Sequence, residues 1–261
     1  VNRSWLPPIL GVLAAVAITS TMDATGSSAF SSLPLLPLML LFSYLQRFSI
    51  QQLGFTWGGV RALRWYGLAI LYPIAVTGAI AAIALLSGAL NPAAAPHHKH
   101  GLWFNLLLIG ATTIPVALLT EEGFFRGWLW ATLERCGQGK VLTIVFTSLA
   151  FALWHWSSVV LPTGFNPPSS QVPTFMLNAA LIGAIWGMLR LLSGSIVVTS
   201  VSHGIWNALA YVLFGFGSNV GALGISNTVI YGPEIGFLGL LFNAAVAVGL
   251  WQWCARRGAF E

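Results

Sequence analysis

Charge is what this chain has least of. Of its 261 residues, 7% are Asp, Glu, Lys or Arg, and only six are acidic. Soluble domains carry about 25% charged residues, so a water-solvated globular fold is excluded. Cysteine is nearly absent too. Cys136 and Cys254 lack His partners at ligand spacing and give neither a disulfide framework nor a metal signature. There is no GxSxG elbow and no HExxH run, which removes two common hydrolase signatures. The pI of 9.7 has no basic cluster behind it, so nucleic acid is not a partner. Internal repeats and long linkers are missing as well. Residues 1–261 therefore read as one integral domain.

What remains is apolar. Hydrophobic residues make up 57% of the chain, and the mean hydropathy is +0.82. Hydrophobic runs near the roughly 20 residues that cross a hydrocarbon core predict an all-α, polytopic transmembrane bundle of about eight helices. The spans expected are 5–21, 32–46, 66–89, 103–125, 141–156, 174–193, 195–215 and 232–253. The second and fifth are short and become plausible as tilted helices. The first span, VNRSWLPPILGVLAAVAITSTM, has signal-like features but is expected to be a retained helix. Tryptophans near span ends or bends, among them Trp103, Trp128, Trp130, Trp154, Trp156, Trp251 and Trp253, suit interface anchoring.

Alternating the connections between two sides sorts the basic residues. One side takes Arg3, Arg47, Arg61, Arg64, Arg126, Arg135, Lys140, Arg190, Arg256 and Arg257, and the other takes Lys99 alone. By the positive-inside rule, both termini are expected in the cytoplasm, in a plasma membrane of bacterial type. Basic loops there would lie against anionic lipid.

Polar residues inside the spans are few. Glu121 and Glu122 stand side by side in LLLIGATTIPVALLTEEGFFRGWLW, His155 lies in FALWHW, and His203 and Asn207 lie in SVSHGIWNALAY. A charge at such depth costs about 2.5–3.5 kcal/mol on insertion scales, and such residues usually face a polar cavity and work there. Glu122 and Arg126 share a helical face in the favourable order, which predicts a structural ion pair. Glu121 is turned about 100° from it and is left for the cavity. At 1.5 Å of rise per residue the three groups can meet at similar depth. They are expected to line a cavity open to the cytoplasm. A carboxylate with two imidazoles suits hydrolysis. Glu121 can act as general base and acid. His155 and His203 can hold the water, or hold zinc that activates it, and Asn207 can donate to an oxyanion.

The runs EExxxR (Glu121, Glu122, Arg126), FxxxH (Phe151, His155) and HxxxN (His203, Asn207) resemble the CPBP family of intramembrane CaaX-protease and bacteriocin-processing enzymes. The signature spans 121–207, within a family-like core of about 103–215. The resemblance implies a site facing the cytosol, Glu121 as the water-activating base, and His155, His203 and Asn207 around water and oxyanion. Glu122 and Arg126 would support them. It leaves the cofactor as none or Zn2+, with Glu121, His155 and His203 as zinc ligands if metal is bound; the metal-free version is preferred. Its partners would be membrane lipid and a membrane-associated peptide or protein, including prenylated CaaX-type chains. The alternative is a non-catalytic subunit or scaffold of a membrane complex that keeps the motif for packing. The histidine-rich run Pro96–His100 could bind metal but reads as an exposed loop away from the site.

Overall fold

In hydrocarbon every backbone N–H and C=O must find a partner within the protein, which leaves helices for apolar runs of this length. A computed structural model describes residues 4–95 and 101–261. The helices are α1 (Leu6–Ala24), α2 (Leu35–Gln46), α3 (Leu63–Leu86), α4 (Leu102–Leu119), α5 (Trp130–Arg135), α6 (Lys140–Trp154), α7 (Trp156–Val160), α8 (Val172–Ser193), α9 (Ile196–Leu209), α10 (Thr228–Tyr231) and α11 (Phe237–Arg256). The only sheet among the described residues is a two-residue hairpin pairing Gly215–Phe216 (β1) with Asn219–Val220 (β2). Among the described residues, seven helical segments are long and apolar enough to cross a membrane, and α2 is a shorter apolar helix beside them. The histidine-rich stretch 96–100 lies outside the described residues.

Boundaries depart from the sequence reading at three places. The fourth span does not stop near 125. It continues as one rod over 102–135, through a π-helix at Glu122–Leu129 into α5. The fifth span breaks at His155, the junction of α6 and α7. The last begins at Phe237 rather than 232, because a turn through Pro233, Glu234 and Gly236 precedes it. Several tryptophans also leave the interface. Trp128, Trp130 and Trp154 are buried in the core, whereas Trp103 and Trp156 are exposed. Trp128 fills the space opposite Gly11 of α1, where an added Cβ would fall 2.0 Å from its ring.

Short connections set antiparallel neighbours. α8 ends on Gly194 in a left-handed conformation (φ +71), which suits glycine. Ser195 then caps α9, its side chain accepting from the backbone N–H groups of Val197 and Val198. Small residues let helices close up. Gly204 of α9 lies against Ile114 of α4, and Gly183 of α8 lies against Ser148 of α6.

The bundle has two chemically distinct ends. At one, the α1–α2, α3–α4, α7–α8 and α9–α11 connections meet. Ser28 Oγ donates to Thr163 O at 2.9 Å, Asn91 N–H donates to Leu223 O at 3.1 Å, and Phe165 stacks on Phe216 at 4.8 Å. At the other, Ile196 N–H donates to Gly54 O at 3.0 Å, Arg135 Nη1 to Gln46 O, and Cys136 Sγ to Ser4 O at 3.1 Å. Arg47, Arg64, Arg135, Lys140, Arg190, Arg256 and Arg257 lie toward this second end. Among the described residues the first end carries no Lys or Arg.

Candidate active site

The extended α4 rod, the α6–α7 junction and α9 bring the expected residues together. Glu121, His155, His203 and Asn207 all line one cavity of about 480 Å³. Glu121 Oε2 is 4.0 Å from His155 Nε2 and 3.7 Å from His203 Nε2. Glu122 turns away from this space. Its Oε1 is 3.2 Å from Arg126 Nη1, and both side chains are fully buried. Arg126 Nη2 also donates to Gly183 O at 3.2 Å, and the guanidinium lies 4.3 Å from the Phe151 ring centre.

Each imidazole is fixed through its Nδ1. His155 Nδ1 is 2.9 Å from Phe151 O. A carbonyl only accepts, so that nitrogen carries the proton. His203 Nδ1 is 3.1 Å from Glu122 Oε1, and a carboxylate paired with arginine likewise accepts. Trp186 stacks on His203 at 4.2 Å, and Phe151 and Trp154 flank His155 edge-on. When neutral, both imidazoles therefore present an unprotonated Nε2 beside Glu121. The Asn207 side chain has no protein hydrogen-bond partner among the described residues and lies on the cavity wall.

Two acids join the site that the sequence reading did not single out. Asp23, at the end of α1, is buried and accepts from Ser157 Oγ at 2.6 Å. One helical turn before it, Thr19 accepts from Trp154 Nε1 at 2.7 Å. These bonds hold α1 against the α6–α7 junction that carries His155. Glu234, in the turn before α11, lines the cavity and accepts from Trp206 Nε1 at 3.1 Å. Burial pushes its carboxyl up to about 7, against the smaller opposing pull of that hydrogen bond and of His203. Its turn is held by Asn178, whose Nδ2 donates to Pro233 O at 2.8 Å and Glu234 O at 3.0 Å. Asn243 Nδ2 in turn donates to Asn178 Oδ1, and Tyr72 OH donates to Asn243 Oδ1. Scarcity was the available signal, since four of the six acids in the chain lie on or just below this cavity.

The cavity's direction differs from the expectation. It was expected to open at the basic end. Its wall instead includes Ser28, Ala29, Ser31, Ser32, Thr163, Phe165 and Phe216, from the connections at the opposite end. Toward the basic end lie the Glu122–Arg126 pair and the buried Phe125, Trp130, Met188 and Leu189. Arg190 Nε closes over them by donating to Arg126 O at 3.2 Å.

Among the described residues, no group of three or more His, Cys, Asp or Glu side chains is assembled as a metal site. By donor type alone, two imidazole nitrogens and a carboxylate are a set that zinc accepts.

Helices of this length around a buried carboxylate–imidazole cluster define a polytopic membrane protein with a hydrolase-like centre. Residues 101–209 match the Rce1-like family model, described as type II CAAX prenyl endopeptidase Rce1-like. That stretch holds all seven motif residues, in agreement with the CPBP resemblance. The match supports a protease of the CPBP type in general. No curated protein matches the chain significantly.

Proposed function

We propose that the chain is an intramembrane endopeptidase that hydrolyses a peptide bond in a membrane-associated substrate with water activated by Glu121. The observation that carries this reading is the approach of Glu121 Oε2 to two imidazole nitrogens whose partners leave them free to accept. Water held there would donate to Nε2 of His155 or His203 and present a lone pair to the scissile carbonyl. Glu121 takes the proton as the water oxygen bonds to the carbonyl carbon, then delivers it to the nitrogen as the C–N bond breaks. The Asn207 amide would donate to the oxyanion formed in between. Glu122 and Arg126 act at one remove, by holding His203 in its tautomer and orientation. Prenylated CaaX-type chains are the substrate class that the matched family's description names. If zinc were held by Glu121, His155 and His203, it would lower the pKa of its bound water.

The test is cleavage by purified parent and Glu121→Gln proteins, each with and without exhaustive chelation. Glu121→Gln nearly preserves shape and is expected to abolish cleavage while leaving expression and melting unchanged. Activity of the parent that survives chelation supports the metal-free route; loss that zinc restores supports the metal route. Undiminished cleavage by Glu121→Gln would overturn both and favour a scaffold that keeps the motif for packing.

A further inference from the structure

The cavity and the basic residues occupy opposite ends of the bundle, and this bears on where substrate comes from. The connections that rim the cavity come from 25–34, 161–171 and 215–236, and the α3–α4 connection joins them at that end. In sequence these four connections contain one basic residue, Lys99, whereas Arg47, Arg64, Arg135, Lys140, Arg190, Arg256 and Arg257 lie toward the far end. Such an asymmetry orients a membrane protein with its basic end in the cytoplasm. Beneath the motif residues the way to that end is packed. Arg126 and Phe125 are wholly buried, Trp130 and Trp186 nearly so, and Arg190 bonds across to the backbone of Arg126. The cavity wall instead extends to the other end, at Ser28, Ala29, Ser31, Ser32, Thr163 and Phe216.

We propose that this cavity faces the non-cytoplasmic side of the membrane and takes peptide segments presented there, such as the membrane-proximal stretch of an exported or anchored chain. As regards hydrolysis this rests on the endopeptidase reading; as regards access it rests on the cavity wall and the charge distribution alone. The lining agrees with such a substrate. Among the described residues, Asp23, Glu121 and Glu234 contribute carboxyl groups to the wall and no Lys or Arg contributes an ammonium or guanidinium. The wall is therefore suited to neutral or cationic segments and offers no cation to a free carboxylate terminus.

The experiment is cysteine labelling in intact cells expressing the full chain. Cys136 and Cys254 are first replaced by alanine. Ala29→Cys then reports the cavity rim, and Gln51→Cys reports the basic end; both parent residues are exposed. A membrane-impermeant maleimide is expected to label Ala29→Cys in intact cells, and Gln51→Cys only after permeabilisation. Labelling of Gln51→Cys in intact cells, or of Ala29→Cys only after permeabilisation, would overturn the proposal. Repeating the labelling in the Glu121→Gln background gives the same pattern whether or not the chain is a protease, so failure of the access proposal and failure of the endopeptidase reading are told apart.

Discussion

Replacing Glu122 by glutamine separates support from chemistry at this site. Glu122 and Arg126 have no exposed side-chain surface. Removing one partner of such a pair leaves an uncompensated buried charge, at a cost of about 3–5 kcal/mol. Arg126 keeps its bond to Gly183 O and its places over Phe151 and Trp186. Stacking of this kind stabilises by roughly 0.5–2 kcal/mol, so the lower part of the range, about 3 kcal/mol, is expected. Glutamine can still accept from His203 Nδ1, so the loss is chiefly that of the negative charge. For a chain of this size each kcal/mol moves Tm by roughly 2–4 °C, giving a fall of about 6–12 °C. Glu121 sits at the cavity, with 15% of its side chain exposed, and Glu121→Gln should melt with the parent. The assay is tryptophan-fluorescence melting in detergent. The double variant Glu122→Gln with Arg126→Met should recover most of the loss, because replacing both charges removes the buried orphan. Melting of Glu122→Gln within about 1 °C of the parent, less than the shift expected from 1 kcal/mol, would refute the reasoning. A double variant less stable than the single one would do the same.

Two further outcomes follow from particular contacts. An added Cβ at Gly204 would lie 2.4 Å from Ile114 Cγ1 and 2.9 Å from its backbone nitrogen, so Gly204→Val must push α9 from α4. It is expected to lower both Tm and cleavage, and retention of both would show that the close approach is not needed. Glu234 has its carboxyl raised to about 7. A raised carboxyl stabilises most below its unfolded value of about 4.3, and that contribution is lost as pH rises through the folded value. Parent Tm should therefore fall between pH 5 and 7.5 by more than that of Glu234→Gln, and parallel curves for the two proteins would sink the assignment.

The motif residues were legible because an apolar chain makes each charge conspicuous. Glu122 and Arg126 at four residues' separation gave the ion pair, and the same spacing put His203 and Asn207 on one wall. Periodicity could not reveal the π-helix at Glu122–Leu129, because its flanks are apolar on every side. Glu234 was hidden by its neighbours. Ile235, Phe237 and Leu238 extend a hydrophobic run across a turn that Pro233 and Gly236 impose. The cavity's direction depended on which ends of the helices stay open. That is decided by the packing of Arg126 against Phe151 and Trp186 and by Arg190 bonding to the backbone of Arg126, contacts that join residues far apart in the chain.

The π-helix in the α4 rod has a consequence for how the site is phased. One residue inserted into an α-helix turns everything beyond it by about 100°, and a π-segment is the form such an insertion takes inside a helix. Glu121 stands at the start of that segment, and Trp128, Trp130 and Leu133, packed into the core, stand in or after it. The angle between the cavity-facing carboxylate and the buried anchor of its own rod is thus set by the irregular turn between them. Losing one residue from that turn would keep every motif residue and every helix, yet would swing Glu121 away from both imidazoles. Spacing within the rod is a determinant of this site as surely as the identity of the glutamate.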